Sequence, residues 1–260
     1  MANILSDSCS NLLLIIDPQN DFVSPKGSLY VPGAEKSIEN IANLISTEGA
    51  NIDGIAVTMD THHKYHIAHK SYWIPQPENF STISYEDLVD GTYKAIGYSD
   101  EHDNAKRYLK NLGRPLTIWP DHCLEGSFGW AIPDILMNAI HNWELRKRPV
   151  QFADYYQKGI SPGFEAFSLF TKAPGLGEYR PYADIDVFAD YDKIIVCGVA
   201  KDVCVANTVM DMLQDENDYY SGKLVFFEPG MAALDPDSPM NQVFSDAVEH
   251  FGAEILTNVD

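Results

Sequence analysis

The run KIIVCGVAKDVCVANTVMDML, from Lys193 to Leu213, constrains the fold more than any other stretch of this chain. Its β-branched apolar start (Ile194, Ile195, Val196) passes through Gly198 into a polar turn, after which Val205, Val209, Met212 and Leu213 recur on one helical face. That order predicts strand, turn, helix. Cys204 falls at the start of the predicted helix, where unpaired N–H groups and the positive end of the helix dipole favour a thiolate and offer donors to an oxygen. The competing reading is a small buried hydrophobe, which suits Cys197 inside the strand.

The same pattern repeats along the chain. Asn11 to Ile16 (NLLLII) is a continuous apolar run, as expected of a central parallel strand buried on both faces. A helix over Glu35 to Ser46 and a second strand over Ile52 to Met59 make a β-α-β unit. Further on, the periodicity predicts a helix from Gly129 to Trp143 with Pro133 in its first turn, a strand-like segment from Pro149 to Tyr156, and a surface loop from Thr171 to Asp186. A strand over Lys223 to Phe227, a helix over Asn241 to Phe251 and a short strand over Ala253 to Thr257 follow. With 260 residues, 45% of them hydrophobic, the chain can bury a full core. These elements predict one α/β domain spanning 1–260: a three-layer α/β/α, Rossmann-like and mostly parallel sheet of about six strands with helices on both faces. The passage from about 70 to 117 is an insertion with a helix near Asp103 to Leu112. It is read as a lid or a subunit contact, which leaves a homo-oligomer open.

Charge narrows the partners. The formal charge of -20, from 18 basic and 38 acidic residues, argues against nucleic acid and anionic membrane surfaces. No apolar run reaches the roughly 20 residues of a membrane span, and the first residues lack a basic-then-apolar leader, so a cytoplasmic location is expected. Cysteines at 9, 123, 197 and 204 form no CxxC pair, and reduced thiols are expected.

Chemistry-bearing residues gather at the predicted strand ends, where open α/β sheets place their ligands. Asp17 and Asp21 follow the first strand with Phe22 beside them; a turn or cap role is the alternative for Asp17. The second strand runs into Asp60-Thr61-His62, with His63, His66 and His69 following. Asp60 and His62, two apart on an extended chain, share a face and can begin a site for Zn²⁺, Mn²⁺ or Fe²⁺. A solvated histidine loop is the alternative unless another ligand arrives from elsewhere. His122, in a Pro- and Gly-bounded loop beside Trp119, is such a ligand. Lys158 again lies beyond a strand end, where it can hold a carboxylate ionised.

The segments LLLIIDPQNDF, VTMDTHHKYHIAH, WPDHCLEGSFG, YYQKG and GVAKDVCVANT, in that order, resemble the isochorismatase-like cysteine hydrolases, and among them the nicotinamidases. The resemblance implies a catalytic triad of Asp17, Lys158 and Cys204. It implies a divalent metal, Zn²⁺ foremost, on Asp60, His62 and His122, with His66 as ligand or close neighbour. It also implies an oxyanion hole from the N–H groups of Ala200 and Cys204 at a cis Val199-Ala200 peptide, and ring contacts from Phe22, Trp119 and Val199. Phe167-Ser168 stands where many relatives have Tyr-Ser. The implied activity is hydrolysis of a small-molecule amide, nicotinamide first. The alternatives are another amide, a ureido compound or isochorismate as substrate, or a catalytically silent metal-binding relative.

Overall fold

The structure is a computed structural model that describes residues 8–97, 99–176 and 181–258. Its centre is a six-stranded sheet of β1 (Asn11–Ile16), β2 (Gly54–Asp60), β3 (Asp154–Lys158), β4 (Lys193–Val199), β5 (Leu224–Ala232) and β6 (Glu254–Leu256). The strands lie in the order β6-β5-β4-β1-β2-β3, and all neighbours pair in parallel. The five longer helices are α1 (Ala34–Glu48), α2 (Ser99–Leu112), α3 (Asp134–Arg146), α4 (Ala206–Leu213) and α5 (Gln242–Phe251).

The central strand shows why the layers form. Every residue of β1 is buried, and the period of two sends alternate side chains to opposite faces. Leu13 and Ile15 join Ile38, Ile41 and Leu44 of α1 and Leu136, Ile140 and Trp143 of α3. Leu12, Leu14 and Ile16 join Val209 and Met212 of α4 and Phe244 of α5. At about 1.5–3 kcal/mol for each fully buried large aliphatic side chain, this strand alone ties both helical layers to the sheet. The expected three-layer α/β/α architecture is therefore present.

Two elements differ from expectation. Pro133 precedes α3 as its capping residue rather than entering its first turn, because its missing N–H and extended ψ of 138° suit the residue before the helix. The 70–117 segment is a packed unit. Two small antiparallel ribbons and α2 enclose Tyr72, Trp73, Ile83, Leu88, Tyr108 and Leu116 in a third apolar cluster, which reaches Phe164 and Ala166 near the site. Aromatic residues scattered through a polar sequence hid that cluster from a periodicity reading. The stretch expected as a surface loop, 171–186, partly lies outside the described residues, and within it Leu176 is fully buried.

Sheet order fixes where a site can be. From β1 the chain proceeds outward through β2 to β3, then returns to the other side of β1 as β4 and continues to β5 and β6. This reversal between β1 and β4 opens a crevice at the carboxyl ends of the strands. Asp17 and Cys204 flank it, and the β2–β3 register places Asp60 directly beside Lys158. Among the described residues, no helix is long and apolar enough to cross a membrane.

Candidate active site

Four of the sequence-predicted residues meet in the crevice. Lys158 Nζ lies 2.9 Å from Asp17 Oδ2, 3.1 Å from Asp60 Oδ1 and 3.7 Å from Cys204 Sγ, and it donates to the Ala166 carbonyl at 3.1 Å. Asp17 lies near enough to the Cys204 thiol to act on its titration. All of these groups are buried, Lys158 to 1% exposure. A lysine placed this deeply survives because burial, which opposes its charge, is outweighed by Asp17, Asp60 and Cys204, leaving it well above the usual lysine range.

The same burial reverses one expectation. Helix-start N–H groups and Lys158 favour a thiolate at Cys204, but desolvation pushes the thiol well above its ordinary value, with Asp17 and Asp60 adding to the effect and Lys158 opposing it. The resting sulfur therefore keeps its proton. Asp17 is also raised, chiefly by burial and against Lys158, so its carboxylate is a stronger base than a surface aspartate. The shift at Asp17 favours proton transfer from Cys204, whereas the shift at the thiol opposes it. Cys204 sits in a wide helical turn, Lys201–Val205, just ahead of α4. The Val199-Ala200 peptide before it is cis, and the Ala200 carbonyl accepts from Val203 and Val205.

Asp60, His62 and His122 converge from β2, from the loop after it and from the loop before α3. His62 Nδ1 faces the Gly159 carbonyl at 3.0 Å, and His122 Nδ1 faces the Pro120 carbonyl at 2.8 Å. A carbonyl only accepts, so both Nδ1 atoms carry protons and both Nε2 atoms present lone pairs. Those lone pairs point at Asp60 Oδ2 from 3.1 and 3.2 Å. Three acceptors facing one another require a cation between them. A proton is one answer: burial opposes charge on His62, but Asp60 draws its pKa up to about 9. Two imidazoles and a carboxylate are also a donor set for a borderline divalent metal, and the residues fit one. Gly159 makes the approach possible. Its φ is +76°, and a Cβ there would lie 2.6 Å from His62 Cε1 and 2.9 Å from Asp60 Oδ1.

His66 is fully buried with its ring centroid 4.2 Å from that of His62. Burial, with His62 and His69 adding to it, holds His66 well below the ordinary histidine value, so it is neutral. Phe22 and Trp119 line the pocket over Cys204, joined by Phe167. Val199 does not: its side chain is buried in the apolar layer with Leu13 and Ile15, leaving only its backbone near the site. Asp21 braces the His122 loop by accepting from the Cys123 N–H at 2.7 Å.

Three further participants carried no sequence signal of their own, and a fourth only a hint. Thr58 Oγ1 donates to Asp17 Oδ1 at 2.6 Å, and Gln19 clasps Asp60 through both its backbone N–H and its carbonyl at 2.7 Å. His69 is buried, its Nε2 is 3.4 Å from His122 Nδ1, and its donor atom lies within 4.8 Å of those of His62 and His122. Glu165 lines the pocket and approaches His62 and His66. Only His69 had a hint, as the fourth member of the histidine row after Asp60.

No protein-family model matches the chain. In sequence it is similar to the nicotinamidase of Saccharomyces cerevisiae, 26% identical over 202 residues covering 76% of this chain and 79% of the relative. It is likewise similar to the nicotinamidase of Escherichia coli, 26% identical over 204 residues covering 78% and 76%. In structure it resembles an Acinetobacter nicotinamidase/pyrazinamidase with a TM-score of 0.66 and 19% identity, covering 97% of this chain and 98% of that one. A yeast nicotinamidase bound to the inhibitor nicotinaldehyde also gives 0.66, at 21% identity and 95% and 100% coverage. A Pyrococcus horikoshii pyrazinamidase in complex with zinc gives 0.55, at 19% identity and 96% and 99% coverage. The chain shares the fold of the nicotinamidases and is similar to them in sequence over about three quarters of its length.

Proposed function

We propose that this chain is a metal-assisted cysteine amidohydrolase that converts nicotinamide and water to nicotinate and ammonia. The observation that carries the reading is the contact of Lys158 with both Asp17 and Cys204 under a pocket walled by Phe22, Trp119 and Phe167, with the Asp60–His62–His122 set alongside. Similarity to relatives named nicotinamidases supports the substrate.

In this mechanism Asp17 accepts the Cys204 thiol proton as the sulfur attacks the amide carbon, and Lys158 balances the charge that moves between them. The oxyanion is received by the N–H groups of Ala200 and Cys204. Asp17 returns the proton to the leaving nitrogen, releasing ammonia and a thioester on Cys204. It then takes a proton from the water that cleaves the thioester, freeing nicotinate and restoring the thiol. A divalent ion, Zn²⁺ first and Mn²⁺ or Fe²⁺ by the same donors, would be held by Asp60, His62 and His122 and would supply an anchor for the pyridine nitrogen. Phe22 and Trp119 hold the flat ring and exclude water from the sulfur. Cytoplasmic residence and a role in pyridine nucleotide salvage belong to the same reading.

Phe167 favours a second reading, hydrolysis of a different aromatic amide. Its ring lines the pocket without a hydroxyl, under the Arg114 guanidinium 5.6 Å away. The test is metal analysis of purified protein followed by ammonia release from nicotinamide, pyrazinamide and aliphatic amides. Nicotinamide turnover that vanishes in Cys204→Ala, with fold and metal content retained, is expected. Turnover confined to aliphatic amides, or unchanged in the variant, overturns the proposal.

A further inference from the structure

Beside the Asp60–His62–His122 set lie two buried groups that take no part in the proposed hydrolysis. His66 has no exposed surface, and its Nε2 has no hydrogen-bond partner. Glu165 is 4% exposed; its Oε1 accepts the Ala166 N–H at 3.0 Å, while Oε2 is buried without a partner. Each unpaired buried atom has given up its hydration for no partner in the protein. Donor atoms of His62, His66 and Glu165 lie within 4.8 Å of one another. Ligands around one zinc ion at its usual bond lengths are about 3–4 Å apart, so small side-chain rotations close the set.

Position adds a direction. Glu165 lines the catalytic pocket and also a larger open cavity of 710 Å³, whose wall carries Asp184, Asp211 and Asp215. It therefore stands between solvent and the inner ligands, on an approach rich in carboxylates. We propose that His62, His66 and Glu165 form a second, overlapping seat for a divalent cation, the outer of two positions that share His62, through which the ion reaches Asp60 and His122. This rests on the reading that the inner set holds a metal. Because both seats draw on one imidazole, the chain holds one ion at a time. The outer seat is the weaker. To bind an ion at Nε2, His66 must carry its proton on Nδ1, which gives up the 3.3 Å contact from the Ala68 N–H.

Zinc titration calorimetry on the full chain, stripped with a chelator, tests the proposal. His122→Asn, which removes an inner ligand, is expected to bind one Zn²⁺ per chain about 10–100-fold more weakly than the unaltered protein. Adding Glu165→Gln to that variant is expected to abolish binding. Loss of all zinc in His122→Asn, or equal binding in the double variant, overturns the seat. A second measurement avoids any inner-ligand variant: Glu165→Gln alone should take up Zn²⁺ from a chromophoric chelator at least about fivefold more slowly, and an unchanged rate refutes the proposal. A protein that binds zinc in this way yet releases no ammonia from any amide would refute the hydrolase reading and leave the seat standing.

Discussion

Replacing Lys158 with Met probes the charge arrangement on which the chemistry depends. Lys158 Nζ is 2.9 Å from Asp17 and 3.1 Å from Asp60, and all three side chains are at most 5% exposed. At an effective dielectric of 20, each contact is worth about 5–6 kcal/mol of gross attraction. Desolvation of three ions returns several kcal/mol per ion, so the net stabilisation is small. Removing the cation alone leaves two buried carboxylates, Asp17 with its Thr58 hydrogen bond and Asp60 with its histidines, a change that costs about 3–5 kcal/mol. Against a typical total of about 5–15 kcal/mol, the variant should still fold, with a sharply lower urea midpoint and an unchanged m-value. The pH dependence has a definite sign. Lys158 is raised in the folded state, so its contribution is complete below an unfolded value near about 10.4 and is lost as pH climbs through the folded one. Asp60 is depressed, burial being outweighed by His62 and Lys158, so its contribution is present above about 3.9 and is lost as pH falls through the folded value. The difference from the unaltered protein should shrink toward acid as Asp17, already raised, takes up a proton in the variant. Asp17→Asn placed in the Lys158→Met background should recover about 1–3 kcal/mol. A single variant destabilised by less than about 1 kcal/mol would refute the claim that Lys158 neutralises both carboxylates.

Two further substitutions address the supports of the site. Gly159→Ala places a Cβ 2.6 Å from His62 Cε1 at a φ of +76°; zinc affinity by calorimetry should fall about 10–100-fold, and unaltered affinity would show that the ring is not held by this approach. Thr58→Val removes the 2.6 Å hydrogen bond to Asp17 and should lower unfolding stability by about 1–3 kcal/mol in urea, a loss that shrinks but persists in the Asp17→Asn background because the residue-17 N–H also donates to Thr58 Oγ1 at 3.0 Å.

What could be read from the sequence follows from the fold's own logic. Asp17, Asp60, Lys158 and Cys204 each come just after, or at the end of, an extended segment, and a parallel sheet delivers all such ends to one edge; their meeting followed once the strands were recognised. Thr58 and Gln19 were not legible because nothing local marks them. Thr58 is one more β-branched residue in a strand, and it meets Asp17 only because β1 and β2 pair in this register. Glu165 was hidden for the same reason, since its neighbours are histidines about a hundred residues earlier in the chain. The protonation of Cys204 went the other way from its local setting. A helix start and a lysine argue for a thiolate, but both are judged against water, and Cys204 is 7% exposed with Asp17 and Asp60 opposing its charge. The consequence reaches the mechanism. In the proposed mechanism the nucleophile is therefore made during attack, and the pocket that excludes water also raises Asp17, the proposed base. Burial then disfavours the free thiolate and, through the same loss of solvent, strengthens the base that generates it, so a variant that lets water in at Phe22 or Trp119 weakens Asp17 as a base even as it frees the sulfur.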